Sequence, residues 1–219
     1  SSAVGSSNVM AHFGYRFDAS NEQLQRQLDA ANICFLHAPA FHPAMRHAAP
    51  VRRELGVRTF LNMLGPLVNP ARPAAQLLGV YSLELLRLYQ YLLQESGTRY
   101  VVVHALDGYD ELSLTGEAKI ATSEGGETLL SAADLGLPVC KPEDLAGGQT
   151  VEQSARLFRQ VLDGQGTTPQ VNAVAANAAL GIRCLNPAVS LADALALAYV
   201  SIRSGGARRA FTTLLATQA

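Results

Sequence analysis

Apolar residues recur along the chain in two rhythms. At helical spacing, Leu24, Leu28 and Ala31 follow Ser20 and Gln23, a capping-box pair. Ser82 starts a helix in the same way, whose Leu85, Leu88, Tyr89 and Leu92 are expected to face the core, and Gly97 closes it. The last third keeps this rhythm, with starts at Thr150–Gln153 and Ser190–Asp193. VNAVAANAALGI (171–182) is rich in small residues, which suits a tightly packed helix; Asn177 within it could bond a substrate or only neighbouring backbone, and a buried polar group bonded to backbone is the preferred reading. Short apolar runs supply the second rhythm. ICFL (33–36) reads as a buried parallel strand, QLLGVY (76–81) as a strand and YVVVH (100–104) as a central buried strand. KIATSEGGETLL (119–130) reads as a hairpin about Gly-Gly, and 133–148 as a surface connection with a short helix. Alternating strands and helices predict an α/β fold, a largely parallel central sheet flanked by helices.

One stretch breaks both rhythms. HPAMRHAAPVRRELGVRTFLNMLGPLVNP (42–70) mixes helix-start and helix-stop residues with arginines, a Gly-Pro turn and an Asn-Pro turn. Pro43 suits the first turn of a helix, Pro50 interrupts or restarts it, and Gly56 offers a stop. With helical phase kept through Pro50, Met45 and Arg52 share a face. A guanidinium beside an apolar side chain suits a small aromatic acid, the fork pairing with the carboxylate. The competing reading is an amphipathic helix with Arg46, Arg52, Arg53 and Arg58 in solvent.

Composition narrows the class. The chain has 219 residues, 48% hydrophobic and 16% charged, as an ordinary globular protein does, and its length fits one domain or slightly more. A formal net charge of −1 argues against a dedicated nucleic-acid surface. Cys34, Cys140 and Cys184 are far apart and lack metal-ligand spacing, so they read as reduced core thiols of a cytoplasmic protein. No apolar run is long enough to span a bilayer as a helix, and no signal peptide is recognisable at Ser1.

Two further segments carry candidate chemistry. DGYDELS (107–113) follows the YVVVH strand, and neighbouring carboxylates on such a loop can hold Mg2+, although a polar Asp-Gly turn explains the same residues. SSAVGSSNVMAHFG (1–14) reads as a polar loop entering a helix that Gly14 ends. Ser6 and Ser7 fall near its N-terminus, where they cap the helix or free N–H groups meet an anion. His12, His37, His47 and His104 show no metal spacing and default to structural or solvent-facing roles. No Ser/His/Asp or Cys/His arrangement is recognisable.

The 42–70 stretch resembles the anthranilate-binding segment of the anthranilate phosphoribosyltransferase family. The likeness continues through QLLGVYS, VVVHALDGYDELS and the helical C-terminus, and so covers essentially the whole chain. It implies the α/β domain shared by nucleoside phosphorylases and these transferases. It also implies transfer of a phosphoribosyl group from phosphoribosyl pyrophosphate to anthranilate, in tryptophan biosynthesis. By this resemblance Arg52 clamps the anthranilate carboxylate, and His42, Met45 and Pro66 shape the slot. Asp110 and Glu111 bind Mg2+ carried by the pyrophosphate substrate, and Ser6 meets the phosphoribosyl group. The likeness gives Asp107 no role, and it is left, like Asn69, as a turn residue. Many relatives carry lysine where Ala3 stands and aspartate where Asn8 stands. Relatives also have an upstream helical domain, through which they dimerise, and a Gly-Thr-Gly-Gly-Asp phosphate loop. The expectation is therefore that residues 1–219 are an incomplete catalytic domain from a longer chain, inactive alone. Two alternatives are a pyrimidine nucleoside phosphorylase-like enzyme and a non-catalytic relative that binds nucleic acid or a small ligand.

Overall fold

A computed structural model describes residues 4–37, 41 and 69–218. They form two compact units. The first comprises the described residues up to Arg72 with Gly147–Arg159 and 205–218; the second comprises Pro73–Ala146 and Gln160–Ser204. Among the described residues no helix is long and apolar enough to cross a membrane.

In the first unit, helix α1 (Ser6–His12) enters from Gly5, and α2 (Asn21–Ala31) starts at Ser20. The predicted capping box is complete there. Ser20 Oγ accepts from the Gln23 amide at 3.3 Å, and Gln23 Oε1 accepts from the Ser20 amide at 2.7 Å. Val9, Met10, Tyr15, Ala31, Ala155 and Leu214 form the core, surrounded by phenylalanines. Phe13, Phe158 and Phe211 meet with ring centroids 5.1–5.7 Å apart in edge-on or tilted geometry, the arrangement that aligns a positive ring edge with a negative face. The 33–36 run is not a strand. It has no ladder partner among the described residues. Instead the Phe35 amide donates to Tyr15 Oη at 3.3 Å, and the Phe35 ring packs edge-on against Tyr15.

The second unit holds strands β1 (Ala75–Gly79), β2 (Arg99–Ala105), β3 (Ala118–Thr122) and β4 (Glu127–Leu130), ordered β1-β2-β3-β4. The α/β reading holds, but the described sheet is mixed rather than largely parallel. Only β1 and β2 are parallel; β2–β3 and β3–β4 are antiparallel. Connections set these directions. Helix α3 (Leu83–Ser96) carries the chain back between β1 and β2, whereas a loop and the Gly125–Gly126 turn make the other two links without a crossover helix.

Helix α3 is capped by Ser82, whose Oγ accepts from the Leu85 amide at 3.3 Å, and ends at left-handed Gly97. Its buried face is Leu85, Leu86, Tyr89 and Leu93. The predicted Leu88 and Leu92 are instead 40% and 37% exposed, because the helix carries apolar residues on more than one face and the sheet covers only one of them. Helices α4 (Val151–Leu162), α5 (Thr168–Leu185), α6 (Leu191–Arg203) and α7 (Gly206–Ala216) complete the chain. The fully buried Ala175, Ala176 and Ala179 of α5 lie in the core with Val101, Val103, Leu112 and Leu114, and α5 packs on β1 and β2. Small side chains let that helix approach the sheet closely.

Candidate functional site

β1 and β2 run parallel, so their carboxyl ends lie together, where open α/β sheets place ligands. The Val80 amide donates to Val103 O at 2.9 Å, and the His104 ring meets Val80 O through Nδ1 at 2.9 Å, tying this end of the sheet together. His104 is buried and structural, as expected. The 106–117 loop leaves from here with Asp107, Asp110 and Glu111.

Asp107 serves the loop. Its carboxylate accepts from Thr115 Oγ1 and, at 3.5 Å, from Ser113 Oγ. The loop neck is closed by Ala105 N donating to Tyr109 O at 3.0 Å and Leu106 N donating to Glu117 O at 2.8 Å. Asp110 and Glu111 are left exposed at the tip, while Leu112 and Leu114 are fully buried immediately after them. Burying two leucines stabilises by roughly 1.5–3 kcal/mol each, enough to fix where the acid pair emerges.

Two contacts hold the acid pair from opposite sides of its sequence. On one, the Asp110 backbone lies directly over Gly79: a Cβ at that position would be 1.7 Å from the Asp110 carbonyl oxygen. On the other, Asn177 of α5 bonds both backbone groups of Leu112. Its Oδ1 accepts from Leu112 N at 3.0 Å, and its Nδ2 donates to Leu112 O at 2.9 Å. Asn177 does bond backbone, although it is half-buried rather than buried, and the Leu112 backbone it bonds follows Glu111 directly. Gly79 was missed by sequence reading, although a lone glycine inside a strand pattern signals close backbone approach.

Burial and a neighbouring negative charge both act on Glu111. The Glu111 carboxyl, although part of it reaches solvent, is crowded by protein, and this loss of hydration raises its pKa; the negative charge of Asp110 raises it further. A nearby cation would oppose both effects. Among the described residues no group of three or more His, Cys, Asp or Glu could cage a metal. Two carboxylates fit a hard ion such as Mg2+, which keeps waters or phosphate oxygens for its remaining positions.

Ser6, in the first unit, is exposed at the first position of α1. Neither it nor Ser7 caps the helix: Gly5 occupies the cap, and Asn8 Oδ1 accepts from the Gly5 amide at 3.0 Å. His42, Met45, Arg52 and Pro66 lie outside the described residues. Asn69 does serve its turn, Oδ1 accepting from Ala71 N at 3.0 Å. Cys34, Cys140 and Cys184 are all free thiols with pKa values raised mainly by burial.

Comparison with known proteins places the chain in a family context. Residues 1–208 match the model of the glycosyl transferase family, a/b domain. An anthranilate phosphoribosyltransferase of Cytophaga hutchinsonii is 48% identical over 211 residues, covering 96% of this chain and 64% of the relative. The crystal structure of anthranilate phosphoribosyltransferase from Thermus thermophilus superposes with a TM-score of 0.91 at 38% identity, covering 98% of this chain and 65% of that one. The enzyme of that name from Saccharomyces cerevisiae, in complex with 4-fluoroanthranilate, matches with a TM-score of 0.87 at 25% identity over 97% of this chain and 62% of its own. The chain thus spans slightly less than two thirds of the length of these relatives. With all but its last residues matched, the chain belongs to the glycosyl transferase family defined by that a/b domain.

Proposed function

We propose that the protein transfers the phosphoribosyl group of phosphoribosyl pyrophosphate to the amine of anthranilate. The bond from ribose C1 to the pyrophosphate oxygen breaks, a bond from C1 to nitrogen forms, and one amine proton leaves to solvent. The products are N-(5-phosphoribosyl)anthranilate and pyrophosphate. The observation that carries this reading is the 48% identity, over 96% of the chain, to a protein named for that reaction.

Asp110 and Glu111 are assigned to hold Mg2+, which when bound screens the negative charge of the departing pyrophosphate. Ser6 is assigned to the phosphoribosyl group. Arg52 clamps the anthranilate carboxylate with its two-pronged guanidinium, while His42, Met45 and Pro66 line the aromatic slot. An aniline-type nitrogen is neutral at physiological pH and its lone pair is free, so the site needs no strong base. Its work is orientation, bringing nitrogen and C1 into line, and electrostatic support of the leaving group.

The test follows anthranilate fluorescence in protein containing this chain, with phosphoribosyl pyrophosphate and Mg2+. Loss of the signal dependent on all three components is the expected outcome. A folded protein at the full length of its relatives that leaves anthranilate untouched would refute the assignment.

A further inference from the structure

We infer that Asn177 is a positioning residue for the Asp110–Glu111 pair, acting through the backbone of Leu112 rather than touching metal or substrate. The inference rests on the magnesium role proposed above. Its basis is how fully one side chain is committed. Asn177 Nδ2 donates both to Leu112 O at 2.9 Å and to Ala173 O, one turn back on its own helix, at 2.9 Å, while Oδ1 accepts from Leu112 N at 3.0 Å. Both amide hydrogens are used. The opposite amide orientation would face a donor with a donor at Leu112 N, so the bonding pattern itself selects this one.

Leu112 is paired as a neighbouring strand would pair it, but by a single amide, and it is the residue next to Glu111. Its side chain is fully buried in the core that contains Ala175, Ala176 and Ala179 of the same helix. Position along α5 is thereby transmitted to the acid pair. The bond to Ala173 O adds a second constraint: it holds the Asn177 rotamer from its own helix, independently of the loop. A plain packing residue would need none of these polar contacts, and an asparagine serving only its helix would make just the Ala173 bond.

Asn172 supplies an internal control. It lies on the same helix, is buried, and accepts from Tyr199 Oη, away from the acidic loop. Asn172→Ala and Asn177→Ala should both lower the melting temperature. Only Asn177→Ala should weaken Mg2+-dependent uptake of phosphoribosyl pyrophosphate, measured by calorimetric titration of the full-length protein, by about 10- to 100-fold, the usual effect of losing an outer partner of a metal ligand. In metal-free protein it should also speed hydrogen exchange at the Leu112 amide, whereas Asn172→Ala should not. Asn177→Asp keeps an acceptor for Leu112 N but turns an oxygen toward Leu112 O and Ala173 O, so it should fail as alanine does.

Unchanged affinity in Asn177→Ala, or an equal loss in Asn172→Ala, overturns the positioning role and leaves the proposed function standing. Wild-type protein that binds phosphoribosyl pyrophosphate equally well with and without Mg2+ overturns the metal role of the pair, and the positioning role with it.

Discussion

Replacing Gly79 by alanine drives a methyl group into the backbone that carries the acid pair. The new Cβ would lie 1.7 Å from the Asp110 carbonyl oxygen and 2.8 Å from its carbonyl carbon, where real Cβ contacts essentially never fall below 3.0 Å. Loop or strand must therefore yield by about 1.3 Å, the difference between the first and last of these distances. Neither moves freely. β1 is in register with β2 from Ala75↔Arg99 to Gly79↔Val103, and the loop is held by buried Leu112 and by Asn177. Overpacking of this kind costs about 1–3 kcal/mol, which for a chain of this size is a fall in melting temperature of about 2–12 °C. Displacing by about 1 Å the carboxylates proposed to hold Mg2+ can cost on the order of 100-fold in rate. The assay is steady-state phosphoribosyl transfer at varied Mg2+, beside a melting curve. The expected result is a kcat/KM for the donor reduced by about two orders of magnitude in protein that is still folded at the assay temperature. Wild-type kcat/KM and Mg2+ dependence in Gly79→Ala would refute the close-approach argument.

Three other perturbations test separate parts of the account. Glu111 has its pKa raised above the ordinary 4.5, so metal-free folded protein loses stability as pH rises from that value through the raised one. Glu111→Gln should therefore melt higher than wild type at neutral pH, with the gap widening across that window, and should respond to Mg2+ only at higher concentrations than wild type does; a gap that narrows as pH rises would contradict the sign. Ser82→Ala removes the acceptor for the Leu85 amide and should cost about 1 kcal/mol in denaturant unfolding with Mg2+ affinity unchanged. Leu112→Ala, at a fully buried position, should cost about 2–5 kcal/mol and loosen the acidic loop, seen as faster hydrogen exchange across residues 106–117.

What could be read from the sequence was what local chemistry determines. Ser20 with Gln23, Ser82, Gly97 and the Gly125–Gly126 turn each act on bonds within a few residues of themselves, and the structure places each as expected. The β-branched run of β2 reads as buried because it is covered on both faces. Elements whose fate depends on distant partners were misread. The 33–36 run has strand-like composition, but its Phe35 amide finds a tyrosine hydroxyl rather than a ladder. The apolar residues of α3 fit more than one face, and only packing chooses Leu86 and Leu93 over Leu88 and Leu92. In the candidate site, the Asp-Glu pair was singled out only through its family likeness, and its metal role is the one proposed above. The Gly79 approach joins residues over thirty positions apart, and the Asn177 contact spans 65, beyond the reach of any local pattern.

The most direct test of the central claim is one steady-state comparison of wild type, Arg52→Ala and Glu111→Gln, with anthranilate, phosphoribosyl pyrophosphate and Mg2+ varied in turn. The account predicts a split. Arg52→Ala should raise KM for anthranilate far more than KM for the donor, and Glu111→Gln should raise the requirement for Mg2+ and donor while leaving KM for anthranilate near the wild-type value. Equal effects of each variant on both substrates would contradict the division of the site into an arginine clamp for the acid and a carboxylate pair for the metal-bearing donor.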